Sequence, residues 1–541
     1  MESTDGIQLS IPMDFEYSSD SFVWYRTEFS LFRCGLYFYE FQIQTADAVV
    51  VHHKADGQHW QISCVPSPAV PMSNYGRVMY QIFPDRFHKS GSCDLSGKLT
   101  PFSVHTDWHE LPFRAEADMI FPPCTDFFGG NLQGIQEKLP YLSRLGIQML
   151  YLNPIFLAHS NHRYDTADYR VIDPMLGTEQ DFISLCDAAH QLGISIILDG
   201  VFSHTGSNSR YFDQYAVFGN GACSSSSSPY YRWYNFQQFP NIYTSWWGID
   251  SLPAVQELEP SYLAMLIEDP DSVVAHWLRL GADGFRLDVA DELPDTFIEK
   301  LHRRVHEIKP DGIVIGEVWE DASNKISYDV RRSYFTKSEL DTVMNYPFRN
   351  AILDFVGGKD DGRALAKTVM TLAEHYPAWA LHTAMNSLST HDTPRILTVF
   401  GAESDRPQAI ERLKLAAFLQ FVLPGSPCIF YGDEVGLTGA DDPDCRRCYP
   451  WETPDLTLFS YYQRLCKLKQ HWEALRCGAI HFETAEDGIV LFHRIWKTES
   501  LACLINCSAH TAFFPDDVEP FFFTGEHGRM LPPYSGCCYR I

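Results

Sequence analysis

The chain has 541 residues, 45% of them hydrophobic and 14% aromatic, so it can bury a large core and should divide into more than one domain. Its net charge is −27 and no run of Lys and Arg exceeds a pair; this excludes nucleic acid and anionic membrane as partners, because phosphate binding needs a basic face. A neutral, hydroxyl-rich ligand suits such a surface better, and 12 Trp and 27 Tyr supply faces on which sugar rings can stack.

Residues 1–20, MESTDGIQLSIPMDFEYSSD, have neither a basic start nor an apolar centre, so they do not read as a secretory signal. No segment reaches the roughly 20 apolar residues of a membrane span. The 15 cysteines are odd in number and scattered through apparent core strands, the pattern of reduced thiols, and the expected compartment is the cytoplasm. Cys445 and Cys448 form a solitary CxxC, read as part of a loop rather than as a zinc or redox site.

Residues 1–74 read as a short β region, with FVWYRTEFSLF (22–32) and GLYFYEFQI (35–43) as strands joined by a turn. From 75 to 477, β-branched runs alternate with amphipathic helical patterns. The strand candidates are VMYQIFP (78–84), GIQMLYLNPIF (146–156), ISIILDGVF (194–202), GFRLDV (284–289), IVIGEVW (313–319), TVMNYPF (342–348), NSLSTHD (386–392) and PCIFYGDE (427–434). Eight strands with helical crossovers predict an α/β fold, the (β/α)8 TIM barrel. The interval 204–260, with its aromatic-rich RWYNFQQFPNIYTSWWG (232–248), is too long for a loop and reads as a subdomain inserted after the third strand. Trp246, Trp247 and Tyr243 are its candidates for a wall beside the site. Helix 461–475 closes the barrel, and 478–541 alternates as a C-terminal antiparallel β-sandwich.

In a TIM barrel the chemistry sits at the C-terminal ends of the strands. Asp199, Asp288, Glu317, Asp392 and Asp433 all fall there. Three acids at the ends of separate strands suit glycoside hydrolysis, which needs a nucleophile, a protonated acid and further negative charge around an oxocarbenium-like transition state. Arg286 lies two residues before Asp288, on the same face of the strand, and is expected to keep it ionised. Glu317 stands in an apolar run beside Trp319, surroundings expected to raise its pKa and retain its proton.

Four segments in order, DGVFSH (199–204), GFRLDVAD (284–291), GEVWED (316–321) and STHDTPR (389–395), resemble the α-amylase superfamily, glycoside hydrolase family 13. The resemblance covers roughly 460 residues. FFGGNLQGIQEKLPYLSRLGIQMLYLNPIF (127–156), SNHRYDTADYRVIDP (160–174) and DDPDCRR (441–447) are similar to its cyclomaltodextrinase, neopullulanase and maltogenic amylase branch. The resemblance implies that Asp288 is the nucleophile, Glu317 the general acid and later base, and Asp392 the group that grips the sugar being cleaved. It sets His204 and His391 on sugar hydroxyls, Tyr164 under the scissile ring, Arg286 beside the nucleophile, Asp199 at the pocket floor, and Asp442 with Arg446 one sugar further out.

The implied activity is hydrolysis of α-1,4 bonds in maltooligosaccharides and cyclodextrins, with some cleavage of pullulan and some transfer to sugar acceptors. SLPAVQELEP (251–260) departs from the branch's usual stretch and Glu320 replaces a common His, so an α-1,6-acting or transglycosylating relative is the second reading. A catalytically silent carbohydrate-binding relative is the third, disfavoured because all three acids are present. Ser203 stands where the family has Asn. No cofactor or metal is expected: the loop FHKSGSCDLSG (87–97) is poor in charged oxygens and Asn131 replaces an Asp, so calcium has no evident site there. The branch dimerises through a complete N-terminal sandwich; about 70 residues here match only its last strands, which leaves the homodimer open.

Overall fold

The computed structural model describes the whole chain except residues 20, 56, 67–69, 115–122, 403–404, 516–517 and 526–529. Eight parallel strands form the central sheet: Met79–Ile82, Met149–Leu152, Ser195–Gly200, Gly284–Leu287, Ile313–Gly316, Thr342–Val343, Met385–Ser387 and Ser426–Phe430. In space they run sixth, fifth, fourth, third, second, first, eighth, seventh. A parallel bridge between Met344 and Met385 joins the two ends, so the sheet closes into a barrel.

The helices between the strands start and stop where their sequences say. Asn131 caps helix Leu132–Leu145 by accepting from the Gly134 N–H, and Gly146, in the left-handed region, ends it. Thr178 and Asp181 make a reciprocal capping box on helix Glu179–Gln191. Both helices bury one apolar stripe against the sheet.

The two-residue period of each strand then divides its side chains. Met79, Met149, Tyr151, Ile197, Ile313, Ile315, Met344, Met385 and Cys428 fill the barrel interior. Ile196, Leu198, Phe285, Leu287 and Val314 point outward into the helix-facing core, where each contributes about 1.5–3 kcal/mol. Continuing the inward register by two residues brings Asp199, Arg286, Asp288 and Glu317 to the top of the interior. Gly284 is required for the fourth strand to approach the fifth: a Cβ there would lie 2.0 Å from the Ile313 carbonyl oxygen.

The N-terminal region differs from expectation. Residues 22–32 and 35–43 do not pair with each other. Val23–Arg26 pairs with Asp14–Ser18, whereas Gly35–Tyr39 lies between Glu2–Ser3 and Trp60–Cys64. Its period-2 patterning is that of any half-exposed strand, so register falls to contacts distant in sequence, such as the Gln61 N–H to Glu374 Oε1 bond of 2.7 Å.

At the other end, strands Ala479–Glu486, Ile489–Trp496, Glu499–Asn506, Ser535–Arg540 and Phe522–Phe523 form an antiparallel sheet in that order. A second, two-stranded layer pairs Ala512–Phe513 with Met530–Leu531. Phe522 stacks on Phe418 of the barrel's helical shell, 5.4 Å between centroids. Among the described residues no helix is long and apolar enough to cross a membrane.

Candidate active site

The fourth strand sets the centre of the site. Arg286 is fully buried, and its guanidinium meets Asp199 Oδ1 at 2.8 Å, Asp288 Oδ1 at 2.9 Å and Glu317 Oε2 at 2.8 Å. One cation therefore serves three carboxylates, and it loses the contest expected of it at Asp288. Burial, opposed by Arg286 and reinforced by Glu317, Asp199 and Asp392, pushes the Asp288 carboxyl well above the usual carboxylate range.

Glu317 is not in the apolar setting that its neighbours in sequence implied. Its Oε2 accepts from the Val289 N–H at 2.8 Å and touches Arg286, and its Oε1 receives the Trp319 indole N–H at 3.3 Å. The Trp319 ring stacks on Tyr346, 3.9 Å between ring centroids. The Val289 bond depends on a backbone that a β-branched residue rarely adopts, φ 40 and ψ 56. This strain follows directly after Asp288 and aims the amide at the neighbouring acid.

Asp392 stands on the far side of the cluster. Burial works against its charge, but His391 Nε2 at 3.0 Å from Oδ2 and Arg446 Nη2 at 3.4 Å from Oδ1 hold it well below the usual carboxylate range. Arg446 also pairs with Asp442 at 2.9 Å and donates from Nε to the His391 carbonyl at 2.9 Å. Cys445 lies against the same carbonyl, so the CxxC segment is a loop beside the site.

Tyr164 ties the two sides together. Its hydroxyl is 2.8 Å from Asp199 Oδ2 and 2.6 Å from His391 Nε2, and its ring lies parallel to the His391 ring. Asp199 also accepts from the Tyr151 hydroxyl, so it is the fully paired floor beneath the reacting groups. His204 is buried, its Nδ1 is 3.0 Å from the Ser203 hydroxyl, and its Nε2 has no well-aligned partner.

Ten of the residues singled out in the sequence thus meet at one end of the barrel. Asp433 does not join them, because it is engaged at 2.9 Å by Arg395, which also donates to the Tyr431 and Cys445 carbonyls. Three further residues went unnoticed: Gln81, 2.9 Å from His391 Nδ1; Asn153, which donates to the Tyr164 hydroxyl at 3.0 Å; and Tyr346, whose buried hydroxyl has no partner. Inward register on the first and second strands was the available signal for Gln81 and Asn153.

The wall beside the site is only partly as expected. Trp246 lies against His204 at 5.2 Å and stacks on Trp247 at 4.8 Å, while the Trp247 indole is held by Glu292 at 3.0 Å. Tyr243 instead packs on Phe212 and Phe236 within the inserted segment. At the old calcium position Asn131 does other work: its Oδ1 caps the helix and its Nδ2 donates to the Ser90 carbonyl at 2.6 Å. The residues of this loop do not fit a hard cation, which needs several charged oxygens.

Burial drives the His204 imidazole down to about 4, and burial together with Arg494 and Lys469 takes His382 down to about 3. Both are neutral when folded and protonate near 6.5 once unfolded. The stability they carry is complete above about 6.5 and is lost as pH falls toward 4, because the unfolded chain binds the additional protons. A melting temperature that declines steadily from pH 7 to pH 4.5 is the expected result, and one that stays flat over this range would contradict it.

Strand-end acids thus gather around a buried arginine at one end of a closed (β/α)8 barrel. The chain belongs to the α-amylase family: the model described as "Alpha amylase, catalytic domain" matches residues 81–480. It is 38% identical over 474 residues to an amylopullulanase of Thermoanaerobacter thermohydrosulfuricus, a match that covers 77% of this chain and 31% of that protein. It is 35% identical over 490 residues to a cyclomaltodextrinase of Geobacillus thermopakistaniensis, covering 86% of this chain and 76% of the relative. The type III pullulan hydrolase from Thermococcus kodakarensis has a similar structure, with a TM-score of 0.74 at 27% identity over 94% of this chain and 89% of the other. The chain therefore spans about a third of the length of the amylopullulanase it matches.

Proposed function

We propose that this chain is a retaining α-glucan hydrolase that cleaves α-1,4 bonds of maltooligosaccharides and cyclodextrins. One observation carries the reading: Asp288 and Glu317 share the two ends of one buried guanidinium, with Asp392 facing them. Sharing one guanidinium favours the short carboxyl separation of retaining enzymes, about 5–5.5 Å, over the roughly 6.5–9.5 Å that leaves room for a water.

Asp288 attacks the anomeric carbon while Glu317 gives a proton to the departing oxygen. Water then enters, Glu317 removes its proton, and the bond to Asp288 breaks with the anomeric configuration restored. Asp392, held ionised by His391 and Arg446, stabilises the positive charge that develops on the ring. Tyr164 and His204 hold the sugar, and no cofactor takes part. NMR of fresh products from β-cyclodextrin or maltoheptaose should show the α-anomer first, and β-anomers would overturn the mechanism.

The inserted segment with Trp246 and Trp247 narrows the approach, which favours short chains over polymers. Specificity constants for cyclodextrin and maltooligosaccharides should exceed that for soluble starch by about tenfold, equivalent to roughly 1.4 kcal/mol of differential transition-state binding. Kinetics that favour starch would mean an open cleft. Pullulan belongs in the same assay, since relatives named amylopullulanase and pullulan hydrolase favour an additional α-1,6 or transfer activity. The reading sets the enzyme in the cytoplasm, in keeping with 15 free thiols, and as a homodimer through the paired strands Asp14–Ser18 and Val23–Arg26, whose Phe15, Tyr17 and Trp24 are exposed.

A further inference from the structure

At the end of the barrel opposite the carboxylates, three side chains with metal-binding atoms converge. Helix Asp295–Ile308, which follows the fourth strand, carries His302 and His306 one turn apart on the same face. Asp341 directly precedes the sixth strand. The ligating atoms of the three lie within 4.8 Å of one another. His302 Nε2 is 2.9 Å from Asp341 Oδ1, and His306 Nε2 is 2.9 Å from Asp341 Oδ2. His302 and Asp341 are buried, whereas His306 is half-buried.

His306 Nδ1 is 3.3 Å from the Pro310 carbonyl, which can only accept, so Nδ1 carries the hydrogen and Nε2 is the atom that faces Asp341. His302 turns its Nε2 to the same carboxylate, so the three ligating atoms stand close enough together to hold one cation. Two imidazoles and a carboxylate form a donor set that suits zinc. The outer partners fit as well: Pro310 fixes the His306 tautomer, and the Val314 N–H supports Asp341 Oδ2 at 2.7 Å.

We propose that His302, His306 and Asp341 bind one zinc ion per chain, a structural staple that fastens this helix to the fifth and sixth barrel strands. The three residues lie away from the reacting groups, so binding acts on stability and not on turnover. The test uses the full chain, stripped by chelator dialysis, then titrated with zinc by calorimetry and followed by thermal unfolding. One saturable equivalent and a rise in Tm of a few degrees at excess zinc are expected. His306→Gln and, independently, His302→Gln should lose that equivalent and the Tm rise while keeping the parent's turnover. Asp341 is left in place because it also engages Val314. Cobalt substituted for zinc should give ligand-field bands without a sulfur-to-metal charge-transfer band. The proposal fails if zinc does not bind, if both variants bind it as the parent does, or if the cobalt spectrum shows thiolate ligation.

Discussion

Asp288→Asn and Glu317→Gln should each lower kcat by at least about a thousandfold on maltooligosaccharides, because each removes a group that acts in the transition state. Stability should move the other way for Asp288. Its carboxyl is raised above its unfolded value, so the stability it contributes is present below about pH 3.9 and is lost as pH rises through the folded value. Ionising Asp288 inside the fold is costly, because it is buried and crowded by Glu317, Asp199 and Asp392. The neutral amide removes that charge and can still accept from Arg286. Asp288→Asn should therefore melt at the parent's temperature or above it at pH 7, with the gain shrinking toward pH 4. Near-normal turnover in either variant would end the assignment of both roles, and a clear loss of stability in Asp288→Asn would mean that Arg286 dominates after all.

Arg286→Gln should be the most damaging single change in the barrel interior. It removes the cation shared by Asp199, Asp288 and Glu317 and leaves carboxylates buried without compensation, a loss on the order of 3–5 kcal/mol. Turnover should fall with it, since Asp288 and Glu317 lose their common anchor. Lowering the pH gives those carboxyls protons instead, so the stability gap between variant and parent should narrow from pH 7 to pH 5. Arg286→Lys should recover only part of the loss, because one ammonium cannot span both carboxyls as a planar guanidinium does. Thermal unfolding of the three proteins at both pH values checks this, and a gap that is absent or independent of pH would show that the cluster is neutral without Arg286.

The barrel and the residues at its mouth were open to reading from the sequence by itself, for a local reason. Strand alternation has a period of two, so Ile313, Ile315 and Glu317 share one face wherever the strand lies, as do Arg286 and Asp288. Helix caps such as Asn131 and Thr178 act within three residues of themselves. What only the tertiary structure decided depends on distances between elements far apart in the chain. The ionisation of Asp288 is one such property: Arg286 is shared with Asp199 and Glu317, and no spacing along a strand reveals how many carboxylates one guanidinium must serve. Glu317 has apolar neighbours in sequence and polar ones in space, since Val289 and Trp319 turn their N–H groups toward it. In the N-terminal region the two strands that looked like a hairpin take other partners, because alternation sets a strand's faces but not its neighbours. His302, His306 and Asp341 come together for the same reason: the helix supplies the pair one turn apart, and only barrel closure brings the carboxylate to meet it.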